Sequence, residues 1–534
     1  MNIVREYTES TGIEHRRRFA QFFTPPEIAR FMTKWVLSGR NGDGIHDPAF
    51  GLGAFMENAP GGCVFTGGDA DELILSFYRN HSGRQPASLK HTNYLLDFGS
   101  KYDNIVCNPP YLRFQKFSNR DAVSAAFRER FGVCLSGYTN IASAFLIKSI
   151  FDLKPGGRLA YIMPSEFLNA GYGAIVKEHL TKNGHLDSII EISCEKEAFD
   201  EVVTSVCIIL YDSSRAFNSV SFRRVDSLAD FDAAIAHPPA SAVPLRWLDP
   251  KAKWGRFFVP EKNRAVPARK HLTALKEYGR FSRGIATGAN GFFVLSRPEI
   301  FRRGIPQGDC RPCITKSCQL KGSVFTDGDF ELLAGAGAAV YLFSPGDKPS
   351  PGARQYIEYG ESLQFDKRFI TRHRTPWYKT ESRAVSPLLL NVFSRNGYKV
   401  VRNYSSALSL TNFHCFYPNP LSGEYVDWIF LYLLSSAGRK ILSLSKRTYG
   451  DSLDKFEPND LNSALVPNRE FFDSLGEKTL AGLMLAANRG DCLDGELDSI
   501  FAPLLLSTDK EDRHMDSIAR NDHPEAAVQL RLAL

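Results

Sequence analysis

The sequence predicts an α/β protein in which a mostly parallel sheet with an antiparallel edge pair is followed by a separate α+β domain. Short apolar runs alternate with helical stretches between residue 45 and about residue 215, which is the pattern of βαβ units. After about residue 225 the pattern changes to short segments with Gly, Pro, Arg and aromatic residues. The length of 534 residues gives room for two to four domains of ~100–200 residues each.

The predicted elements follow one another regularly along the first part of the chain. Thr24-Pro25-Pro26-Glu27 has the form of a capping box, and apolar residues spaced three and four apart follow it, so we expect a helix to begin there. Strands are predicted over residues 45–47, 63–68, 94–96, 105–107, 158–163, 188–192 and 205–211, and helices over 72–80, 139–153 and 172–182. A short link joins the last two strands, which predicts that they form the antiparallel edge pair.

A domain boundary is predicted near residues 225–250, at the Ala-rich and Pro-containing stretch around residues 237–240. We therefore expect a first domain over residues 1–225, a second over 226–470, and a helical C-terminal segment with a polar tail over 471–534.

The composition excludes several classes of protein. Hydrophobic residues make up 43% and charged residues 23% of the chain, which excludes wholesale disorder and a disulfide-rich miniature scaffold. The formal net charge of +6 permits a polyanionic partner without demanding one. Ten scattered cysteines and an N-terminus without an apolar core predict a cytoplasmic protein with reduced thiols. The apolar runs are shorter than the ~18 residues that a membrane span needs.

A glycine loop follows the first predicted strand. Within residues 47–55, Gly51 and Gly53 stand at G-x-G spacing, which lets the backbone turn tightly and approach a ligand, although alone this spacing is more often a structural turn. Asp47 and Asp69 end the first two predicted strands, and Asp97 ends the third. Because the carboxyl ends of successive parallel strands face one crevice, these acidic residues together predict a nucleoside site.

The sequence Asn108-Pro109-Pro110-Tyr111 directly follows the fourth predicted strand. Taken alone, it is equally well explained as a proline-rich turn. Beside a nucleoside crevice, two prolines would fix the backbone so that the Asn108 amide oxygen and a nearby carbonyl accept hydrogen bonds from one exocyclic amine. Tyr111 would offer a ring on which a planar base stacks.

Four segments in this order resemble the amino-methyltransferases of DNA: residues 21–25, residues 47–55, Asp69 and residues 108–111. The cofactor motifs come first and a long recognition region comes last. This order is similar to that in γ-class N6-adenine methyltransferases of the TaqI type. The resemblance is strong over roughly residues 20–215. It implies a Rossmann-like, S-adenosylmethionine-dependent methyltransferase sheet, a separate α+β C-terminal DNA-recognition domain, and methyl transfer to N6 of a flipped adenine in duplex DNA.

The resemblance also implies roles for individual residues. Asp69 would hold the ribose hydroxyls of S-adenosylmethionine, Asp97 its adenine amino group, and Thr24 its carboxylate. The implied cofactor-binding residues are Thr24, Pro25, Asp47, Ala49, Gly51, Gly53, Asp69, Asp97 and Phe98. The implied catalytic residues are Asn108, Pro109, Pro110, Tyr111 and Phe199, the last as a second stacking surface for the adenine. One departure is visible, because Phe50 and Leu52 stand where the family usually has small or polar residues.

Basic and aromatic residues interleave between residues 365 and 404. Such a run is usually a solvated face, but attached to a base-flipping domain it favours nucleic-acid binding. The residues predicted to bind DNA are Arg372, Arg374, Arg395, Arg402, Lys446 and Arg447. Cys310, Cys313 and Cys318 also cluster, but three thiols without a histidine do not complete a structural zinc site, so we expect no metal.

Other substrates stay open at this point. The N-P-P-Y sequence also occurs in protein glutamine methyltransferases, related forms occur in RNA methyltransferases, and a cytosine-N4 enzyme would more often have Ser at position 108. A catalytically inactive DNA-binding specificity module is a further alternative, against which the complete set of acidic residues argues. The resemblance implies double-stranded DNA as the partner, a separately encoded restriction endonuclease acting on the same site, and a monomeric, cytoplasmic, nucleoid-associated protein.

Overall fold

The computed structural model describes residues 3–39, 43–137, 139–193, 205–229, 231–259, 266–267, 269–394, 397–445, 447–449 and 453–506. The chain divides into two compact units. The first is mainly Met1–Arg264, and the second consists of Ala265–Arg447 and Leu453–Ser507. Within the described part of the chain, no helix is long and apolar enough to span a bilayer.

The first unit is built on a sheet of nine described strands. They are β1 (Ile45–Asp47), β2 (Phe65–Asp69), β3 (Ser88–His91), β4 (Tyr102–Cys107), β5 (Leu153–Pro164), β6 (Leu186–Ile192), β7 (Val206–Asp212), β8 (Ser219–Val225) and β9 (Ser241–Pro244). Their order across the sheet is β3-β2-β1-β4-β5-β7-β6-β8-β9. The first five strands are parallel, β7 is antiparallel to β5 and β6, β6 and β8 are parallel, and β9 is antiparallel to β8.

Two apolar cores cover the two faces of this sheet. On β5, Leu159, Tyr161 and Met163 belong to one core, whereas Ala160 and Ile162 belong to the other. Because successive side chains of a strand point to opposite faces, a strand buried on both faces is apolar almost throughout. This explains why the central strands are continuous apolar runs in the sequence.

Helices flank the sheet on both faces. They include α1 (Ile3–Ser10), α2 (Ile13–Phe19), α3 (Pro26–Leu37), α4 (Ala54–Asn58), α5 (Glu72–His81), α6 (Arg120–Phe131), α7 (Ile141–Asp152) and α8 (Ala174–Thr181). Residues of α3 and α5 lie in the same core as Ala160, and residues of α6 and α7 lie in the core that contains Tyr161.

Most predicted elements of the first unit are confirmed, with three differences. The strand expected over residues 94–96 is wrong, because that apolar triplet forms a 3-10 turn and the third parallel strand is β3. The pair β6 and β7 is antiparallel as expected, but it does not form the edge, since β8 and β9 continue the sheet. The strand β9 also lies beyond residue 225, so the first unit extends past the boundary expected there.

The second unit combines helices with small, mostly antiparallel sheets. Its largest sheet has the strand order Gly279–Arg283, Phe413–Pro418, Leu388–Asn391, Val400–Asn403 and Val324–Phe325. A second sheet has the order Val294–Ser296, Ala339–Phe343, Cys310–Ile314 and Leu408–Ser409. The helices are Asn290–Phe293, Arg297–Arg302, Asp327–Gly335, Pro351–Ser362, Val426–Leu434, Ser436–Ser443, Pro458–Asn462, Arg469–Leu475, Glu477–Arg489 and Asp494–Phe501.

Candidate active site

The carboxyl ends of β1, β2 and β4 meet at one edge of the sheet. Asp47 at the end of β1 pairs with Gly67 on β2, and His46 pairs with Ile105 on β4. In open parallel sheets this edge is where ligands bind. The glycine loop and Asn108 both begin at this edge, as the sequence predicts.

Two hydrogen bonds from backbone N–H groups to side-chain carboxylates attach the glycine loop to the acidic residues. The Gly51 N–H donates to Asp69 Oδ2 at 2.9 Å, and the Ala49 N–H donates to Asp47 Oδ1 at 3.1 Å. Gly51 and Gly53 have φ angles of +55° and +71°, the left-handed region that favours glycine. A Cβ atom on Gly53 would also lie 2.5 Å from the ring of a tyrosine on α5. Both glycines are therefore required by the backbone of the loop.

The bulky residues of the loop belong to the core. Phe50 and Leu52 are 2% and 4% exposed. The Phe50 ring packs edge-on against Tyr78 with ring centroids 4.8 Å apart. On β2, a Cβ atom at Gly67 would lie 2.3 Å from the Phe50 ring, so the strand leaves space for this side chain. The departure from the family pattern is thus accommodated by the apolar core.

Burial dominates the electrostatics of the first two acidic residues. Burial raises the pKa of Asp47 well above its usual range, and the neighbouring Asp69 charge raises it further. Burial also raises the pKa of Asp69 to about 6, although N–H groups of Asp71 and Gly51 oppose this by donating to the carboxylate. A ligand that brings hydroxyl donors to such a carboxylate would stabilise its ionised form.

Asp97 stands at the end of the 3-10 turn Tyr94–Leu96. The turn is attached to α7, because the Tyr94 hydroxyl donates to Asp152 Oδ2 at 2.9 Å and lies 2.8 Å from the Ser149 hydroxyl. Thr92 Oγ1 lies 3.5 Å from Asp97 Oδ2. The third acidic residue is therefore positioned by packing on a helix, and the expectation that it ends a strand is wrong.

The next residue, Phe98, lies among basic side chains. The Arg130 guanidinium is 4.3 Å and the Lys148 ammonium 5.0 Å from the centroid of its ring. Lys148 is 1% exposed, and its ammonium bonds Asp152. Burial lowers the pKa of Lys148.

The amide of Asn108 has a fixed orientation. Its Nδ2 group donates to the Phe22 carbonyl at 2.9 Å and to Thr24 Oγ1 at 3.1 Å. Because a backbone carbonyl only accepts, the nitrogen of the amide must face residues 22–24. The Oδ1 atom is buried, and within the described residues it has no hydrogen-bond partner. The acceptor that the sequence assigns to an incoming amine is thus unoccupied by protein donors.

Aromatic rings lie beside this amide. Tyr111 stacks on Phe22 with ring centroids 5.5 Å apart and an interplanar angle of 25°. The Tyr111 hydroxyl donates to the Ile162 carbonyl at 3.3 Å, and burial raises its pKa well above the usual range. Of the two prolines between Asn108 and Tyr111, Pro109 is buried and Pro110 is half-buried. Sequence reasoning missed the role of Phe22, although Phe22 lies inside the segment 21–25 that carries the resemblance.

Thr24 has a different role from the one that the capping-box pattern predicts. The helix α3 begins at Pro26, with Pro25 at the N-cap and no side-chain hydrogen bond capping it. The Thr24 side chain is buried, and its hydroxyl accepts the hydrogen bond from Asn108. The capping-box prediction is therefore wrong, because Pro25 and not Thr24 is the N-cap residue and the Thr24 hydroxyl bonds Asn108 instead of the helix.

The segment before Thr24 is attached to the turn between β2 and α5. Gln21 Nε2 donates to Asp71 Oδ2 at 2.7 Å, and the Tyr7 hydroxyl donates to Gln21 Oε1 at 3.1 Å. Asp71 in turn caps α5 by accepting from the Leu73 N–H at 3.1 Å. Hydrogen bonds to Asp71, which follows β2, and to Asn108, which follows β4, thus hold residues 21–24 in place.

The predicted DNA-binding residues of the second unit have unlike surroundings. Arg372 is exposed. The Arg374 guanidinium donates to the Thr287 carbonyl at 3.0 Å and to the Ala286 carbonyl, and burial lowers its pKa. Arg402 donates to Asp427 Oδ1 at 2.6 Å and to a backbone carbonyl at 3.0 Å. The bonds of Arg374 and Arg402 favour a structural role for both.

Several predicted residues cannot be placed. Phe199, Arg395 and Lys446 lie outside the described residues, and Arg447 begins the strand Arg447–Tyr449.

Cys310 and Cys313 are buried in the second unit, whereas Cys318 is exposed. Burial raises the pKa of Cys310 to about 12, which disfavours the thiolate that a metal requires. The described parts of the chain contain no group of three or more potential metal ligands.

Comparisons with known proteins identify the family and the fold of this chain. The family of the Eco57I restriction-modification methylase matches residues 75–199, and that of the C-terminal domain of the Type II methyltransferase M.Eco57I matches residues 251–489. The DNA complex of the Type IIL restriction-modification enzyme MmeI has a similar fold, with a TM-score of 0.51 at 14% identity over 94% of this chain and 73% of that chain.

Two curated relatives match nearly the whole chain. The Type II methyltransferase M.XamI of Xanthomonas campestris pv. amaranthicola is 22% identical over 85% of this chain and 86% of its own length. The Type II methyltransferase M.AccI of Acinetobacter calcoaceticus is 34% identical over 526 residues, which are 94% of this chain and 96% of that protein. With the two family matches, this similarity shows that the chain belongs to the Type II restriction-modification methyltransferases of the Eco57I type.

Proposed function

We propose that this protein transfers a methyl group from S-adenosylmethionine to N6 of an adenine flipped out of duplex DNA. It would act as the modification part of a restriction-modification system. The observation that carries the proposal is the Asn108 amide, whose nitrogen is fixed by two hydrogen bonds and whose buried oxygen has no partner in the described part of the chain.

The unpaired oxygen supports an amine as the substrate. A buried acceptor without a donor is unfavourable by about 1–3 kcal/mol, so an N–H donor that enters the site gains this free energy. An adenine N6 amine would donate to Asn108 Oδ1 and to the Pro109 carbonyl, and its ring would stack on Tyr111. With both hydrogens held, the lone pair of the nitrogen points away from the ring plane, as attack on a methyl group requires. As the nitrogen–carbon bond forms, the carbon–sulfur bond of the methyl donor would break with its electron pair left on sulfur. The methylated amine would then lose its proton to water.

The residues at the sheet edge fit the cofactor. S-adenosylmethionine supplies a methyl group on a cationic sulfonium, which needs little acid catalysis. Asp69 would accept from its ribose hydroxyls, Asp97 from its adenine amino group, and the backbone between Gly51 and Gly53 would pass close to it. The carboxylates and the left-handed glycines give the donor and acceptor set that such a nucleoside requires.

The second unit would recognise the target sequence in double-stranded DNA. Its match to the C-terminal domain of a Type II methyltransferase supports this role. The family also supports a separately encoded endonuclease that cleaves the same site when it is unmethylated. The enzyme would act as a monomer in the cytoplasm, with all contacts to DNA made by one chain.

The test is methyl transfer from labelled S-adenosylmethionine to unmethylated duplex DNA, followed by nucleoside analysis. We expect N6-methyladenine from the wild type and at least a hundredfold less from Asn108→Ala, because the substitution removes the acceptor. Asn119→Ala is the matched control, since Asn119 is exposed and its side chain makes no capping hydrogen bond. Cofactor binding and thermal unfolding of both variants would show that the fold is retained.

The other products distinguish the alternatives. Label in cytosine would support a DNA methyltransferase but would contradict adenine as the target base. Label in RNA or protein, with none in DNA, would refute the proposal. An active Asn108→Ala variant would remove Asn108 from the catalytic residues.

A further inference from the structure

An exposed aromatic side chain stands on a basic turn of the second unit. The basic turn, residues 365–374, contains two 3-10 segments, Phe365–Lys367 and Thr371–His373. Phe369 lies between them and is 73% exposed. A phenylalanine that remains in water does not gain the favourable free energy of burial. One exposed aromatic residue is not unusual by itself, so the argument depends on what surrounds it.

The turn is held firmly by the rest of the unit. Thr371 is fully buried, and its hydroxyl donates to the Phe365 carbonyl. Arg374 donates to two backbone carbonyls of residues 286–287. Ile370 packs closely on Gly288, where a Cβ atom would lie 2.6 Å from the Ile370 Cβ. These contacts fix the backbone on both sides of Phe369, so its exposure is not that of a loose loop.

Positive charge flanks the exposed ring. The turn contains four Lys and Arg residues and one Asp. The Arg372 guanidinium lies 5.2 Å from the centroid of the Phe369 ring, and Arg368 and Arg372 are both exposed. Among the described residues, neither guanidinium has a hydrogen-bond or ion-pair partner. Arg372 lies beside the solvated Phe369 ring, and the exposed Arg368 lies 4.4 Å from the centroid of the Phe365 ring. Exposed cations and a solvated ring on one turn match a polyanion that carries stacked aromatic bases.

We propose that Phe369 is a wedge that inserts at a base step of the target duplex, while Arg368 and Arg372 bind the flanking phosphates. Apolar side chains that enter a base step unstack it partially and bend the duplex, and nearby cations hold the backbone. The inference rests on the proposed function, since it takes DNA as the partner of the second unit. It assigns to the basic turn a contact with base faces in addition to the expected contacts with phosphates.

The test replaces Phe369 in two ways and uses Phe301 as the matched control. Phe301 is 89% exposed on the helix Arg297–Arg302 of the same unit. The probe is a duplex in which methylation by the wild type has been mapped. We expect Phe369→Ala to weaken duplex binding roughly 5- to 150-fold, the range for loss of one base–aromatic stack, and Phe301→Ala to bind like the wild type. The added tryptophan emission of Phe369→Trp should be quenched by the duplex, and that of Phe301→Trp should not.

Two results would overturn the wedge. The first is a Phe369→Ala variant that binds the duplex as tightly as Phe301→Ala. The second is Phe369→Trp emission that stays constant when the duplex saturates the protein. If the wild type methylates no DNA, the proposed function fails, and the same titration with a random-sequence duplex still decides whether Phe369 contacts bases.

Discussion

Replacing Thr24 by valine should slow methyl transfer without weakening cofactor binding. Valine has nearly the shape of threonine but lacks the hydroxyl that accepts from Asn108 Nδ2 at 3.1 Å. The substitution leaves one buried N–H of the amide without its acceptor, which costs about 1–3 kcal/mol. If that free energy is lost from the orientation in which Oδ1 faces the substrate, the rate falls roughly 5- to 150-fold.

The assay separates this positioning role from the contact with the cofactor carboxylate that the family resemblance implies. Single-turnover methyl transfer is measured at saturating S-adenosylmethionine and DNA, and the Kd of the cofactor is measured by calorimetry. We expect a slower single turnover for Thr24→Val, an unchanged Kd, and recovery of the rate in Thr24→Ser, which keeps the acceptor. The reasoning is refuted if Thr24→Val raises the Kd and reaches the wild-type rate at saturating cofactor.

The remaining predictions concern charge. Because the pKa of Asp69 is about 6, cofactor affinity should fall up to tenfold per pH unit below about pH 6 as the carboxyl takes up a proton, and Asp69→Asn should abolish this slope in calorimetry. Since that pKa lies above the ordinary 3.8, the cofactor-free fold should become more stable as the pH falls through 6; a thermal midpoint that drops with the same titration would contradict the assignment. Arg374→Ala should lower the free energy of unfolding in urea by about 1–3 kcal/mol, because two carbonyls lose their donor. Arg372→Ala should leave stability unchanged and reduce both DNA affinity and its salt dependence, and equal stability of the two variants would refute the structural role of Arg374.

The sequence predicts the central strands of the sheet because these strands are buried on both faces. Continuous apolar runs such as residues 159–163 and 206–211 are distinctive, and the helices between the strands have a clear period. The edge strand β3 escaped prediction, since its residues Ser88–His91 are half-exposed and include two basic side chains. The triplet Tyr94–Leu96 resembles a strand in sequence, because three apolar residues have no period that separates a strand from a turn.

The candidate site is predicted as far as its chemistry depends on residue type. Asp47, Asp69 and Asn108 lie at one edge of the sheet, as expected, because they stand at the carboxyl ends of the parallel strands β1, β2 and β4. The hydrogen bonds from Asn108 to residues 22–24 join positions more than 80 apart in the chain, and no local pattern contains them. The same limit applies to the basic side chains of the second unit, since sequence does not distinguish the exposed Arg372 from Arg374, which bonds the backbone.

The attachment of the Tyr94 turn to α7 has a consequence for how this family can diverge. Asp97 is held in position by the bonds of Tyr94 to Ser149 and Asp152, whereas Asp47 and Asp69 depend on the sheet. The two parts of the candidate nucleoside site can therefore accumulate mutations separately. In an alignment of relatives, positions 94, 149 and 152 should covary as one group, and exchanging that group between relatives should leave the glycine loop undisturbed.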